Sequence, residues 1–368
     1  MKTIQAKTES GSYAVVCEGG ALSRLGGIVE KLRDGGGVFL LSSPRVWKFL
    51  GKEALQELRL PRERVVLFDD REVAKRLAAV EGICRKLARA RADRRALLVA
   101  VGGGVVGDIA GFAAASYLRG VRIVHVPTTL VAQVDSAIGG KTGVDLPEGK
   151  NLVGAFHQPE MVIADPTTLR SLPAREFRSG LYEVIKYGVI GDSQLFGFLE
   201  REMEKLLCMD MRLLEWVIER GARQKARIVS KDERERGLRQ VLNFGHTIGH
   251  ALETLTGYKR FLHGEAVGWG MLGATRIATA MNRMSERDAN RIASLVARCG
   301  RLPDLPRVSP EGLLQAIAGD KKSRGGRVGW VLPRRIGAAE IGVNVPDRLV
   351  ARVWRELPAL YAHLQRGN

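Results

Sequence analysis

The chain has 368 residues, of which 45% are hydrophobic and 27% are charged, and its formal net charge is +18. This length allows two domains with sizeable cores, and no apolar run reaches the roughly 18 residues of a membrane span. The N-terminus has no apolar signal core, and the four scattered cysteines form no CxxC pair. We therefore expect a cytoplasmic protein with reduced thiols, no disulfides and no membrane partner.

The positive charge makes nucleic acid a candidate partner. The basic residues, however, are dispersed in mixed-charge helical segments such as 81–96, and aromatic residues make up only 6% of the chain. A basic background around an anionic small-molecule site fits this pattern better than a nucleic-acid groove. A solvated cationic surface without a specific partner would account for most of the individual charges.

The first half of the chain alternates apolar runs with helical patterns. The predicted strands are 38–43, 64–70, 96–104, 121–129 and 161–166, and the predicted helices between them are 47–58, 71–92 and 107–118. Such alternation is typical of an α/β domain with a parallel, Rossmann-like sheet, whose strands carry ligand-binding loops at their carboxyl ends.

Strand signals largely disappear after about residue 174. The 3.6-residue periodicity predicts helices over 179–206, 210–231, 241–256, 264–281 and 285–299, a small hairpin within 321–337 and a closing helix from 346. We therefore predict an α/β domain over 1–173 and a mostly α-helical domain over 174–368, with the active site in the cleft between them.

A glycine loop, "VAVGGGVVGD" (99–108), joins a predicted strand to a predicted helix. Glycines allow the backbone to approach a phosphate, and a helix N-terminus offers unpaired N–H groups to it. The spacing matches neither GxGxxG nor a Walker loop, and a tight turn that needs glycine for packing is the alternative. Three consecutive glycines favour nucleotide binding, where Asp108 could be a helix cap or a hydrogen-bonding partner of a cofactor.

A second loop, "VDSAIGGKTGVDLPEGKN" (134–151), combines Asp135, Lys141, Lys150 and Asn151 with glycines. Lysines on a glycine-rich loop suit a phosphate or carboxylate ligand, although either lysine alone could simply be solvated. We expect a long stretch without regular structure here, which in a compact domain is usually functional.

A glutamate and three of the histidines fall within the motifs of the helical half. Glu183 and Lys186 lie three positions apart in "YEVIKYG", and His246, His250 and His263 are three of the six histidines. A carboxylate with two imidazoles is a common catalytic zinc set. From spacing alone, His246 and His250 are the obvious pair, since positions i and i+4 share a helix face. A buried histidine satisfied by hydrogen bonds is about as frequent as a ligand.

Five segments together resemble the 3-dehydroquinate synthases, a family of sugar-phosphate cyclases. They are "GGGVVGDIAGFAAASYLRG", "VPTTLVAQVDSAIGGKTGVDLPEGKNLVGAFHQP", "LPAREFRSGLYEVIKYG", "LNFGHTIGHALE" and "HGEAVGWGM". The resemblance runs from about residue 12 to about 345. It implies conversion of 3-deoxy-D-arabino-heptulosonate 7-phosphate to 3-dehydroquinate and phosphate in the shikimate pathway. The implied steps are transient NAD-dependent oxidation, β-elimination of phosphate, re-reduction, ring opening and intramolecular aldol closure.

The resemblance changes the metal assignment. It implies that Glu183, His246 and His263 bind a divalent metal, zinc with cobalt as the alternative, and that His250 faces the substrate instead. Further implied substrate or catalytic residues are Asp135, Lys141, Asn151, Lys186, Lys225, Arg239, Asn243 and either Lys321 or Lys322. The partner subunit's Arg119 completes that set, which implies a homodimer.

The same resemblance implies that the first domain binds NAD. The implied cofactor residues are Glu72, Lys75, Gly103, Gly104, Val105, Asp108, Thr128, Thr129, Asp135, Lys150, Asn151, Thr168, Ser171, Leu172 and Glu176. One position departs from the pattern, because Ser43 stands where the family often has an acidic residue. Serine can still hydrogen-bond the ribose, but the charge that favours NAD over NADP is lost.

Three alternatives remain from the sequence. The first is a different sugar-phosphate cyclase, of the amino-dehydroquinate type or acting on sedoheptulose 7-phosphate or glucose 6-phosphate. The second is a metal-dependent NAD alcohol dehydrogenase, which would lack the "GGKTG" to "GKN" loop. The third is a basic nucleic-acid-binding protein, which gives no reason for the glycine loop or for the glutamate and histidine set.

Overall fold

The computed structural model describes residues 2–319 and 328–366. The chain divides into two compact units, one of Met1–Pro173 with Met211–Arg234 and the other of Ala174–Asp210 with Glu235–Asn368. The first unit contains a seven-stranded sheet, and the second is mostly helical.

The sheet of the first unit is parallel apart from one edge hairpin. Its strands are β1 (Lys2–Thr8), β2 (Gly11–Cys17), β3 (Val38–Ser42), β4 (Val65–Leu67), β5 (Leu97–Gly102), β6 (Arg122–Pro127) and β9 (Met161–Ala164). The spatial order is β1-β2-β9-β6-β5-β3-β4, and only β1 and β2 pair antiparallel. All five strands predicted from the sequence are present, whereas β1 and β2 were not predicted.

The strand order reverses between β3 and β5. The chain first moves outward from β3 to β4 and then returns to build β5, β6 and β9 on the other side. Ligands of open α/β sheets bind at such a reversal, outside the carboxyl ends of the strands. Ser43 directly follows β3 and Gly103 directly follows β5, so the sequence-predicted loops lie at the reversal point.

Helices cover both faces of the sheet in this unit. They are α1 (Leu25–Leu32), α2 (Pro44–Leu58), α3 (Leu77–Arg89), α4 (Gly104–Ser116) and α7 (Met211–Lys231). Alternate residues of β5 point to opposite faces. Leu98 and Ala100 pack with residues of α3 and α4, whereas Val99 and Val101 pack with residues of α1 and α2. Burial on both faces explains the continuous apolar runs of the central strands.

The expectation of a structureless stretch around 134–151 was wrong. Residues Ala132–Ser136 form a short π-helix, and β7 (Lys141–Leu146) pairs antiparallel with β8 (Gly149–Phe156). The two strands approach so closely that a Cβ on Gly154 would lie 2.1 Å from the carbonyl oxygen of Thr142, so this position requires glycine. Glycines at this pairing weaken the usual strand signal, which hid the hairpin in the sequence.

The second unit is built from helices and one small hairpin. The helices are α5 (Ala174–Gly191), α6 (Ser193–Leu207), α8 (His246–Leu255), α9 (His263–Ala280), α10 (Glu286–Cys299), α11 (Pro310–Gly319) and α12 (Asp347–Arg366). The hairpin pairs β10 (Trp330–Arg335) with β11 (Ala338–Val343). It begins nine residues later than the predicted range, of which 321–327 lie outside the described residues.

Three predicted helices are interrupted. The prediction over 71–92 breaks at Lys75 and Arg76, which separate the 3₁₀ turn Glu72–Ala74 from α3. The prediction over 179–206 breaks at Asp192, whose side chain accepts a hydrogen bond from the Leu195 N–H and caps α6. The prediction over 241–256 breaks at Gly245, which has a φ of +81° between a 3₁₀ turn and α8. Residues with a side chain rarely adopt such a φ, so the glycine allows the 3₁₀ turn to end and α8 to begin. Within the described residues, no helix is long and apolar enough to cross a membrane.

Candidate active site

Three imidazoles and one carboxylate converge in the helical unit. Glu183 lies on α5, His246 and His250 lie on α8, and His263 is the first residue of α9. The ring centroids of the three histidines are 5.1 to 6.0 Å apart. One ligand atom each from Glu183, His246 and His263 lies within 4.8 Å of the other two. This set could hold a metal ion, and the side chain of Glu183 is only 1% exposed.

The two imidazoles nearest Glu183 are oriented by hydrogen bonds on their far side. The Nδ1 of His246 lies 3.1 Å from the carbonyl oxygen of Phe244. The Nδ1 of His263 lies 3.2 Å from a carboxylate oxygen of Glu253. The Nε2 atoms lie 3.9 and 3.5 Å from the same oxygen of Glu183. Donation from Nδ1 leaves the lone pair of Nε2 available, which is the arrangement of metal-binding histidines.

The charges around His263 change its titration. Burial by itself lowers the pKa of His263, but the carboxylates of Glu253 and Glu183 outweigh it and raise that pKa to about 10. In the metal-free protein the ring therefore holds a proton at neutral pH. A metal bound at Nε2 would displace that proton, so metal binding and pH are coupled.

A second, overlapping set could also hold a metal. One ligand atom each from His250, Glu253 and His263 lies within 4.8 Å of the other two. Glu253 was not singled out in the sequence, although His246, His250 and Glu253 occupy positions i, i+4 and i+7 of α8 and share one face. The simple His246–His250 pair suggested by spacing is thus one part of a larger cluster.

Lys186 lies next to this cluster. Its ammonium forms an ion pair with Glu183 one helical turn earlier, and both side chains are 1% exposed. The ammonium also lies 5.3 Å from the ring centroid of Tyr187. A buried cation this close to a carboxylate is consistent with a functional site.

Arg239 and Asn243 lie on the 3₁₀ turn Leu238–Asn243 that precedes α8. Arg239 is 1% exposed, although arginine is almost never fully buried unless paired. The side-chain amide of Asn243 donates a 2.7 Å hydrogen bond to Glu235, a carboxylate that the sequence reasoning missed. Because Glu235 lies in a charged surface-like segment, "KDERERG", no sequence pattern distinguished it.

Asp135 and Lys225 come together in the α/β unit. Asp135 lies in the π-helical turn, and its carboxylate oxygen is 2.6 Å from the ammonium nitrogen of Lys225 on α7. Lys225 is 6% exposed. Short π-helical turns are frequent at functional sites. Lys141 is the exposed first residue of β7.

A polar cluster lies beside the glycine loop. The ammonium of Lys75 is 2.5 Å from a carboxylate oxygen of Asp108 and 2.5 Å from the side-chain oxygen of Asn151. Burial would lower the pKa of Lys75, but the neighbouring carboxylates of Asp108 and Glu72 raise it. Lys150 lies 3.0 Å from Glu72. The structure thus brings together five of the residues predicted to contact a cofactor.

Asp145 is a member of this cluster that the sequence reasoning missed. One of its carboxylate oxygens accepts a 2.8 Å hydrogen bond from the backbone N–H of Asn151. Asn151 has a φ of +54°, and Asp145 is 5% exposed. The bond therefore holds Asn151 in a left-handed conformation that places its side chain on Lys75. Asp145 belongs to the 134–151 motif and lies on β7, but no spacing rule in the sequence identified it.

The glycine loop combines packing with open donors. A Cβ on Gly103 would lie 2.9 Å from the Thr129 side chain, and one on Gly104 would lie 3.1 Å from Ser136. The packing explanation for these glycines is therefore correct in part. Helix α4 nevertheless begins at Gly104 with no side-chain cap. Its first N–H groups at the sheet reversal can still donate to a phosphate.

The remaining predicted cofactor residues have identifiable local roles. Ser43 caps α2 by accepting a hydrogen bond from the Val46 N–H, and Thr129 accepts one from the Ala132 N–H. Thr168 and Ser171 donate to backbone carbonyls in the 3₁₀ turn Pro166–Ser171. Val105 lies at the start of α4, and Thr128 directly follows β6. Leu172 directly follows that 3₁₀ turn, and Glu176 lies in the first turn of α5. These bonds neither support nor oppose cofactor contact.

Three predicted residues are not placed in any of these clusters by the described structure. Arg119 is exposed in a 3₁₀ turn with a φ of +69°. The predicted Lys321 and Lys322 contacts lie outside the described residues.

Comparison with known proteins gives a consistent result. Residues 65–179 match the family described as 3-dehydroquinate synthase N-terminal, and residues 180–323 match 3-dehydroquinate synthase C-terminal. A 3-dehydroquinate synthase of Prochlorococcus marinus (strain MIT 9313) is 46% identical over 94% of this chain and 94% of its own length. One from Koribacter versatilis (strain Ellin345) is 49% identical over 79% and 80%, respectively.

Two solved structures of sugar-phosphate cyclising synthases are similar in fold to this chain. A 2-deoxy-scyllo-inosose synthase complexed with carbaglucose-6-phosphate, NAD+ and Co2+ has a TM-score of 0.86 at 29% identity, over 96% of this chain and all of the other. A 2-epi-5-epi-valiolone synthase of Streptomyces hygroscopicus subsp. jinggangensis 5008 with NAD+ and Zn2+ bound has a TM-score of 0.84 at 28% identity, over 94% and 96%. The chain therefore belongs to the 3-dehydroquinate synthase family.

Proposed function

We propose that this protein is a 3-dehydroquinate synthase, a carbon–oxygen lyase that converts 3-deoxy-D-arabino-heptulosonate 7-phosphate to 3-dehydroquinate and phosphate. Relatives of that name align with 94% of the chain at 46% identity. The observation that carries the proposal is the buried Glu183 with two imidazoles whose Nε2 atoms point toward it. The family supplies the reaction, and this cluster supplies a site suited to it.

Glu183, His246 and His263 would hold a divalent metal, which we take to be zinc or cobalt. Support comes from the donor set and from the far-side hydrogen bonds that orient both rings. Two structural neighbours are named with Co2+ and with Zn2+. When bound, the metal supplies a Lewis acid that polarises substrate hydroxyl groups.

The α/β unit would hold NAD. The uncapped start of α4 offers N–H donors for the pyrophosphate at the sheet reversal, and the cluster of Lys75, Asp108 and Asn151 lies beside it. Both structural neighbours are named with NAD+. When bound, the nicotinamide supplies reversible hydride acceptance, so NAD is returned unchanged after each turnover.

The chain's own side chains would bind and orient the substrate. The substrate carries a carboxylate and a phosphate, and Lys141, Lys225 and Arg239 supply positive charge for them. Arg239 suits a carboxylate because its guanidinium donates two parallel hydrogen bonds. Asn243 would donate through its amide. His250, which shares its helix face with His246, would hold or move a proton at the substrate hydroxyls, assisted by Lys186.

Two finer expectations also stay predictions. One is the homodimer in which the partner subunit's Arg119 reaches the site. The other is the division of the chain into domains of 1–173 and 174–368.

Phosphate release from the heptulosonate phosphate, with NAD+ and Zn2+ supplied, tests the proposal. We expect NAD-dependent release of phosphate and formation of 3-dehydroquinate, and no release by Glu183→Gln. Sedoheptulose 7-phosphate and glucose 6-phosphate serve as parallel substrates for the alternative cyclases. Turnover of either one without turnover of the heptulosonate phosphate would overturn the assignment.

A further inference from the structure

We propose that Glu253 is a positioning residue that fixes the orientation of His263 for metal binding. The proposal rests on the proposed function, since it takes Glu183, His246 and His263 as the metal ligands. Glu253 lies on α8 and His263 begins α9, so the two residues join neighbouring helices.

The imidazole of His263 lies between two carboxylates, one at each ring nitrogen. The Nδ1–H of His263 donates to Glu253 over 3.2 Å, and the Nε2 of the same ring lies 3.5 Å from Glu183. Glu253 is 3% exposed. A buried carboxylate is costly unless it is paired, so its presence here indicates a specific partner. With Nδ1 protonated, the lone pair of Nε2 faces the ligand set.

His263 depends on this contact more than His246 depends on its own. The Nδ1 of His246 is held by the carbonyl of Phe244, two residues earlier in the chain. The side chain of His263 is 36% exposed, and the nearby carboxylate of Glu265 is already engaged by the Leu262 N–H and by Arg175. At its Nδ1 atom, the ring of His263 is therefore oriented by a tertiary contact, from Glu253, rather than by a neighbour in the chain. A carboxylate partner also makes the imidazole a more basic ligand than a carbonyl does.

The competing arrangement is one in which Glu253 binds the metal itself. Glu253, His250 and His263 form the second set of ligand atoms within 4.8 Å of one another. In that arrangement His246 would be dispensable for metal binding. In the proposed one, His246 is a ligand and Glu253 acts only through His263.

Metal affinity measured on the folded protein separates the two roles. We would strip the metal from the full-length protein and titrate Zn2+ against a chromophoric chelator, then record the absorption spectrum of the Co2+ form. Loss of an outer carboxylate partner typically costs 10- to 100-fold in metal affinity, so we expect about 10-fold weaker zinc binding for Glu253→Gln and about 100-fold for Glu253→Ala. The glutamine retains an acceptor for Nδ1–H, which explains the smaller loss.

Glu265→Gln is the matched control. Glu265 is also a buried carboxylate, 5% exposed, but among the described residues its hydrogen-bond partners are the Leu262 N–H at the start of α9 and the side chain of Arg175. We expect this variant to unfold at lower denaturant concentration and to bind zinc as the wild type does. Glu253→Gln should keep the same type of Co2+ spectrum as the wild type with a shifted band, because the ligands remain and one of them changes its basicity.

Three results would overturn the proposal. They are unchanged zinc affinity in both Glu253 variants, an equal loss of affinity in Glu265→Gln, and full zinc binding by His246→Ala with none by Glu253→Gln. The proposed function fails separately, through wild-type protein that binds no zinc or that releases no phosphate from the heptulosonate phosphate.

Discussion

At the scale of single residues, the two histidines of α8 lie in different environments although they share one helix face. The Nε2 of His246 lies 3.9 Å from Glu183, whereas His250 approaches Glu253 and His263 instead. We predict that His250→Ala retains bound zinc but turns over much more slowly, by 10²- to 10⁴-fold if it handles a proton. His246→Ala and His263→Ala should lose the metal. Metal content after gel filtration and steady-state rates check both parts.

His363→Ala is the control for that comparison, since this exposed histidine lies on α12 near the end of the described chain. It should keep both zinc and activity. Zinc loss from His250→Ala would contradict the assignment of ligands, and normal turnover by it would contradict its proton-handling role.

His125 gives a second prediction at this scale, for stability against pH. Burial, together with repulsion from His157, lowers the pKa of His125 from 6.5 to about 4. The unfolded chain therefore takes up a proton at this residue as the pH falls below about 6.5, whereas the native protein does not. Stability is lost across the window from 6.5 to 4, by about 3 kcal/mol at most.

We predict that His125→Gln, which does not titrate, loses about 3 kcal/mol less stability between pH 6.5 and pH 4 than the wild type does. Urea unfolding of metal-free protein at a series of pH values measures the difference. The exposed His363→Gln should reproduce the wild-type slope. Parallel pH profiles for wild type and His125→Gln would show that His125 is not the group responsible.

At the scale of elements, the site depends on how closely α5 and α9 approach. A Cβ on Gly264 would lie 1.8 Å from the carbonyl oxygen of Ser179, a backbone atom that cannot move aside alone. Gly264 directly follows His263, and Ser179 lies one turn before Glu183 on α5. Gly264→Ala must therefore separate the two helices that carry two of the proposed ligands.

We predict that Gly264→Ala costs about 3 kcal/mol in the free energy of unfolding and weakens zinc binding. Gly82→Ala on α3 is the matched control, because its added Cβ meets no atom within 4 Å. That control should gain roughly 0.5–1 kcal/mol, since alanine is the better helix former. Denaturant unfolding and zinc titration compare the two, and a neutral Gly264→Ala would contradict the close-packing argument.

The same scale shows what the sequence can and cannot predict. Periodic patterns identified the central strands and most long helices, because burial on one or both faces leaves a direct imprint on the residue order. The break at Gly245 and the hairpin of β7 and β8 were missed, since a left-handed φ and a close strand approach are set by tertiary contacts.

The candidate site follows the same division. The glutamate and histidines proposed as metal ligands stand in recognisable motifs, and it is the family resemblance that assigns His263 rather than His250 to that set. Asp145, Glu235 and Glu253 were missed because each acts through a partner chosen by the fold, Asn151, Asn243 and His263, respectively. No spacing rule in one sequence reveals such partners, and only the folded structure brings them together.

At the scale of the whole molecule, the net charge of +18 suits the proposed substrate, which carries both a carboxylate and a phosphate. A general positive field would attract such a substrate and raise its encounter rate, but salt screens charges beyond about 8 Å at physiological ionic strength. The charges near the site should then dominate. We predict that kcat/KM falls several-fold when the KCl concentration is raised from about 0.05 M to about 0.5 M. The fall should come from an increase in KM, while kcat changes little.

Two variants that each remove one positive charge separate the local from the general contribution. Lys141 is proposed to contact the substrate, whereas Arg94 is exposed in the turn before β5, at the opposite end of a strand about 20 Å long from the glycine loop. Lys141→Gln should raise KM and flatten the salt dependence, and Arg94→Gln should alter neither. Equal effects from the two variants would assign the attraction to the net charge. A KM independent of salt in the wild type would remove the electrostatic argument altogether, because screening acts on every charge that the substrate meets in solution.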